Sequence, residues 1–223
     1  MWINNAGTNA YRFEPLLKSS PEDLKRIVDT NSLGLMLCLK EAMSVMREQD
    51  ATGHIFSMDG AGATGQATPR FAAYGATKRA IVQLHKSLRA ELDLLGIDNV
   101  RLHMLSPGMV ATELLLAGSD TKVAKFMINA LAETPEDAAS FLVPRVRSVV
   151  SSSARASGSG SASSAPSSSD EPPSFGPIEA IEAQLGLGAK SAYIKFLTLP
   201  KAYAQILMRA LLGLRKDRFV KED

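Results

Sequence analysis

Three features of the sequence predict an α/β domain built as three layers, with helices on both faces of a mostly parallel sheet. Short apolar runs of strand length end in turns carrying Gly or Pro, helix-periodic stretches separate them, and the elements alternate as strand, helix, strand, loop and helix. At 223 residues the chain has the length of one domain with a buried core.

Met1 to Ile3 read as the end of a strand running directly into the turn Asn5-Ala6-Gly7. Ser20-Pro21-Glu22-Asp23 opens a helix: Ser20 caps it, Pro21 takes the first position, where no N–H is needed, and the acids face the positive end of the helix dipole. Leu24, Ile27 and Val28 continue it toward Asn31, and the apolar positions from Leu33 to Met46 extend it or begin a second helix. Gly53 to Met58 has the composition of a short buried strand, followed by a Gly/Ala-rich loop over 59–69. Phe71 to Leu95 carries apolar residues at helical spacing, among them Ile81, Leu84, Leu88 and Leu92. Val100 to Leu105 is the next strand, stopped by Ser106-Pro107-Gly108. Thr134-Pro135-Glu136-Asp137 repeats the opening seen at Ser20. From 148 to 174 the chain is Ser, Ala, Gly and Pro with few large apolar residues, too little to offset the entropy of ordering, so a disordered insertion is expected. Residues 1–147 and a helical extension over 175–223 then form the ordered parts of one domain.

Lys and Arg total 25 against 23 acids, a formal charge of +2 with no concentrated basic block, so no nucleic-acid partner is expected. Cys38 is the single cysteine and excludes an intrachain disulfide. Its place in the apolar run Leu35 to Leu39 suggests a small buried residue. His54, His85 and His103 lack metal-ligand spacing, and no metal is predicted. No apolar run reaches membrane-spanning length. The C-terminal stretch mixes Tyr193, Phe196, Tyr203, Leu207 and Leu211 with Lys195, Lys201 and Arg209. That pattern fits a helix covering the core, a subunit interface or an element lying on a membrane surface.

Tyr74 and Lys78 stand four apart within a predicted helix, which puts both on one face. A phenol is a poor acid or base at neutral pH, and an ammonium beside it favours the phenolate and eases proton transfer.

The order Asn4-Asn5-Ala6-Gly7, Asn31, Tyr74-Gly75-Ala76-Thr77-Lys78 and Ser106-Pro107-Gly108-Met109-Val110-Ala111-Thr112 resembles the short-chain dehydrogenases/reductases. That resemblance implies a Rossmann-like fold and an NADPH or NADH cofactor, NADPH being favoured. It implies Tyr74 as proton donor, Lys78 as ligand of the nicotinamide ribose, Asn31 as holder of a relay water, and Asn5, Ala6, Gly7, Pro107, Gly108, Val110 and Thr112 around the cofactor. The serine usual in that family is missing: its position falls on Ala61, or on Gly60 with a shift of one residue. Ser57 is expected on the strand, and Asp59 cannot donate a proton unless protonated, which makes Thr64 the candidate for polarising the carbonyl. The family's Gly-rich phosphate loop and first βαβ elements would lie upstream of Met1, so the sequence reads as truncated and its own activity as doubtful.

Gly53 to Gly62 and the segments Tyr193 to Thr198 and Arg218 to Asp223 resemble the chlorophyll b reductases of plants and green algae. This implies reduction of the 7-formyl group of chlorophyll b or chlorophyllide b to hydroxymethyl, in the chloroplast, with peripheral association at the thylakoid membrane and a homo- or hetero-oligomer with a related reductase. Another short-chain carbonyl reductase, or a non-catalytic partner subunit, are the competing readings.

Overall fold

The structure is a computed structural model that describes residues 1–158 and 191–222. Among these residues four strands form one sheet in the order β1 (Trp2–Asn4), β2 (Gly53–Met58), β3 (Val100–Ser106) and β4 (Tyr193–Lys195), with every neighbouring pair parallel. Strands of this kind are covered on both faces, which is why Gly53 to Ser57 are buried without alternation. Between β1 and β2 run α1 (Pro21–Val28), a π-helical segment (Asp29–Gly34) and α2 (Leu35–Met46). Helix α3 (Ala72–Leu94) joins β2 to β3. After β3 come the short α4 (Glu113–Leu116), α5 (Lys122–Leu131) and α6 (Pro135–Gly158), and α7 (Leu199–Leu212) follows β4.

Both predicted helix openings form as their chemistry requires. Ser20 Oγ accepts from the Asp23 N–H at 3.1 Å, and Thr134 Oγ1 accepts from the Asp137 N–H at 3.1 Å. Apolar packing covers both faces of the sheet. On one face Leu39, Ala42 and Met46 of α2 and Leu92 of α3 pack against Ile55 and Leu102; on the other, Ala138, Leu142 and Val146 of α6 cover Phe56, Leu105 and Ile194. Alternation along β2 sends Ile55 and Phe56 to opposite cores, which fixes the register of the sheet.

Several expectations change. Cys38 is exposed: α2 buries Leu39, Ala42 and Met46 at one helical stripe, and a residue one step before Leu39 is turned about 100° off it. Tyr193–Lys195 is a strand of the sheet rather than part of a helical extension. Helix α6 continues through Ser148 to Gly158, past the point where the composition predicted order to end. The rest of the 148–174 segment, and the resumption of structure expected near Ile178, lie outside the described residues. Helix α7 turns Gln205 and Arg209 inward and leaves Tyr203, Leu207 and Leu211 exposed. No helix among the described residues is long and apolar enough to cross a membrane.

The three histidines are buried in the core. The Ala192 N–H donates to His103 Nδ1 at 3.0 Å, so the neutral His103 carries its proton on Nε2 and donates it to His54 Nδ1, 3.0 Å away. His85 Nε2 pairs with Ser57 Oγ at 2.9 Å, and Asn4 Nδ2 donates to the same hydroxyl.

Candidate active site

Parallel register collects the loops. Asn4 pairs with Ser57, Met58 with Leu105 and Ser106 with Lys195, so the segments that follow β1, β2 and β3 leave the sheet from a single edge. In open α/β sheets the crevice outside these carboxyl ends is where ligands bind. Asn5-Ala6-Gly7, Asp59 to Gly62 and Pro107 to Thr112 therefore face one region, and α3 and the π-helical segment add Tyr74, Lys78 and Asn31.

Tyr74 lies in the first turn of α3 and Lys78 one turn on. Lys78 is buried, its Nζ donates to the main-chain oxygen of Met58 at 3.1 Å, and it lies 5.5 Å from the centre of the Tyr74 ring. The turn after β1 passes over it: a side chain on Gly7 would bring its Cβ to 3.5 Å from Lys78 Nζ and 3.6 Å from Asn31 Oδ1. Gly7, Asn31, Tyr74 and Lys78 are thus brought together.

Asn31 is a bracket. Its Oδ1 accepts from the Thr8 N–H at 2.8 Å, and its Nδ2 donates to Thr8 O at 2.8 Å and to Thr77 Oγ1 at 3.0 Å, while Thr77 in turn donates to Tyr74 O at 2.7 Å. One buried amide thereby fixes the turn after β1 to the turn that bears Tyr74. The π-helical winding around it, Asp29–Gly34, is a rare form that clusters at functional positions.

The remaining predicted positions are more open. Asn5, Ala6 and Gly7 are exposed, as are Gly108 and Thr112, while Pro107 and Val110 are half-buried. Thr112 immediately precedes α4 without capping it through its side chain, and its hydroxyl donates to Val110 O at 3.4 Å. Two hydrogen bonds tie the loop after β3 to Glu133: Glu133 N–H to Met109 O at 3.0 Å and Ala111 N–H to Glu133 O at 2.9 Å. Thr64 is exposed, and its hydroxyl donates to Gln66 Oε1.

Electrostatics departs from the sequence argument. Burial, and then the nearby Asp59, push the Tyr74 phenol up to about 12, although Lys78 was expected to favour the phenolate. Burial also lowers the Lys78 ammonium, with Asp59 opposing. Burial outweighs the neighbouring charges in both groups, and Lys78 Nζ spends one N–H on Met58 O. Three residues that motif reading did not assign belong to the same region. Asp59 is buried beside the couple, Tyr193 donates its hydroxyl to Asp59 Oδ2, and Gly60 faces the Tyr74 hydroxyl so closely that a Cβ there would lie 2.4 Å from it. Asp59 was legible as a polar residue near the missing serine. Tyr193, 134 residues away along the chain, stood out in the C-terminal pattern with nothing to link it to Asp59.

Residues 1–122 match the short chain dehydrogenase family. The chain is 49% identical over all 223 residues to chlorophyll(ide) b reductase NOL of Arabidopsis thaliana, of which it covers 54%, and 44% identical to the protein of that name from Oryza sativa, of which it covers 55%. It is 52% identical over 149 residues to the probable chlorophyll(ide) b reductase NYC1 of Arabidopsis thaliana, covering 29% of that protein. It therefore spans about half the length of the NOL relatives. Among solved structures it resembles 4-hydroxyisoleucine dehydrogenase complexed with NADH, at 26% identity and a TM-score of 0.54, over 69% of this chain and 61% of that one. A parallel α/β sheet flanked by helices, the Tyr74–Lys78 couple under the Gly7 turn, and a family match across more than half its residues make this chain a member of the short-chain dehydrogenase family.

Proposed function

We propose that this chain serves a nicotinamide-dependent reductase whose substrate carbonyl is the 7-formyl group of chlorophyll b or chlorophyllide b. The observation that carries the chemistry is the placement of Tyr74 and Lys78 one helical turn apart beneath Gly7. The identity to the two NOL proteins across the whole chain supports the substrate.

The residues present fit a reduced nicotinamide, NADPH or NADH. Lys78 has three N–H donors, one of them used by Met58 O, and the bare Cα of Gly7 leaves the space above Nζ unfilled. Asn5, Ala6, Gly7, Pro107, Gly108, Val110 and Thr112 border the same edge. When bound, that cofactor supplies the hydride. Tyr74 holds the proton for the oxygen on which alkoxide charge develops, and Lys78 orients the ribose and offsets charge at the phenol. Asn31, whose side-chain amide is committed to Thr8 and Thr77, is assigned to holding a relay water. Thr64, an exposed hydroxyl able to turn from Gln66, is assigned to carbonyl polarisation. The chloroplastic relatives support action in the chloroplast, and association with the thylakoid membrane or a second reductase subunit belongs to the same proposal.

The test is turnover of chlorophyllide b with NADPH, followed by chromatography of the 7-hydroxymethyl product, for the chain and its Tyr74→Phe, Lys78→Ala and Thr64→Ala variants. Tyr74→Phe should lower kcat/KM by about 10³-fold and Lys78→Ala should also raise KM for the cofactor. Turnover of simple aldehydes without the pigment would remove the substrate assignment. Full activity in Tyr74→Phe would remove the proton donor, and full activity in Thr64→Ala the polarising hydroxyl.

A further inference from the structure

Asp59 is a buried carboxyl that the proposed chemistry does not use. It follows β2 directly, between Met58, whose carbonyl receives Lys78 Nζ at 3.1 Å, and Gly60, which faces the Tyr74 hydroxyl. Its side chain is 8% exposed, and Tyr193 of β4 donates a hydroxyl hydrogen bond to Oδ2. Tyr193 packs against Ile81, Val82 and Met104, so the carboxyl is enclosed between the sheet and α3. The groups that face it are Tyr193 and Lys195 from β4, Ser106 from β3, and Lys78 and Tyr74 from α3. Lys195 Nζ lies 4.2 Å from the centre of the Tyr193 ring.

A negative charge at this position acts oppositely on the two members of the couple. It disfavours the phenolate of Tyr74 and favours the ammonium of Lys78. We propose that Asp59 is a positioning residue for the Tyr74–Lys78 couple: as a carboxylate held by Tyr193 it raises the cost of a phenolate at Tyr74 and favours the ammonium of Lys78, and on taking up a proton it relaxes both effects. Donation of the proton in carbonyl reduction leaves a phenolate on Tyr74, so the ionised carboxyl opposes that step and its protonation eases it. The inference rests on the proposed function for its meaning, and its test does not need turnover.

Burial pushes the Asp59 carboxyl up to about 6, against the hydrogen bonds of Tyr193 and Ser106 and the charges of Lys78 and Lys195. Its titration therefore falls in a pH range where no tyrosine ionises. The experiment labels the tyrosine Cζ carbons with ¹³C, assigns Tyr74 and Tyr193 through their Phe variants, and follows both resonances from pH 4.5 to 8. Both should step together near pH 6, and Asp59→Asn should abolish both steps. Tyr193→Phe removes a donor that stabilises the carboxylate, so the Tyr74 step should persist and move to higher pH; this variant carries the test if Asp59→Asn does not fold. A step in Tyr193 with Tyr74 flat would reduce Asp59 to a structural partner of Tyr193. Flat traces in both, or a Tyr74 step that survives Asp59→Asn, would also overturn the proposal. Coupled steps in a chain that does not turn over pigment would count against the proposed substrate alone, while pigment turnover with Tyr74 flat would count against Asp59 alone.

Discussion

A side chain at position 60 would place its Cβ 2.4 Å from the Tyr74 hydroxyl and 3.1 Å from both Cγ and Cε of Lys78. Contacts that short cannot persist, and Tyr74 or the loop would have to shift. Gly60→Ser adds a hydroxyl one residue before Ala61, where the resemblance aligns the family serine, yet it should lower kcat/KM by about 10²-fold, because displacing a reacting group by about 1 Å costs that much. Unchanged or increased activity in a Gly60→Ser enzyme of normal thermal stability would show that the loop yields and the tyrosine does not. Tyr74, Lys78 and Asn31 were legible in the sequence, since helical spacing and short motifs encode them locally. The demand for glycine at 60 was not, because it comes from a side chain fourteen residues further on and folded back over the loop.

Element packing explains how the far C-terminus reaches the site. Glu133, just after α5, is buried and accepts from Gln205 at 2.9 Å, Arg215 at 3.1 Å and Arg218 at 2.7 Å. Its main chain meanwhile pairs with Met109 and Ala111 in the loop after β3. The tail that follows α7 is also held at Asn129, whose Oδ1 accepts from the N–H groups of Phe219 at 2.7 Å and Val220 at 3.0 Å. Glu133→Ala would take the carboxylate from Arg215 and leave Arg218 only Asp137, at 3.9 Å. About 2 kcal/mol of lost stability is expected, below the full cost of breaking a buried pair because both arginines reach solvent. Hydrogen exchange should report faster exchange at the Ala111 amide; retained protection there would separate the tail from the loop. The apolar-and-basic pattern of 193–218 signalled an important segment without showing that its arginines, rather than its leucines, make the inward contacts.

At the scale of the whole molecule, three buried histidines make stability depend on pH. Burial first, then neighbouring cationic groups, lower His85 and His103 to about 3, and His54 is lowered as well. The unfolded chain protonates these rings at about 6.5, so their contribution is complete above that pH and is lost as pH falls from there toward 3. Asp59 acts in the opposite sense: its folded carboxyl is raised to about 6, and acidification stabilises it. The histidines outnumber it, and about 3 kcal/mol should be lost between pH 7.5 and 5, roughly 6–12 °C in Tm for a chain of this size. Calorimetry at the two pH values checks this, and an unchanged Tm would mean that the rings are already accessible to protons in the folded state.

By itself the sequence determined the α/β class, the helix openings at Ser20 and Thr134, the strands at Gly53 and Val100, and the placement of Tyr74 and Lys78 one turn apart on a helix. Each depends on cap chemistry, side-chain periodicity or a short motif, all interactions within a few residues. Only the tertiary structure decided the fourth strand at Tyr193–Lys195, the outward position of Cys38, the Asp59–Tyr193 pair and the tethering of the loop after β3 to the C-terminal arginines. Those depend on which faces meet and how far water is excluded where they meet, and a carboxyl or a phenol takes its chemical character from that surrounding rather than from its neighbours along the chain.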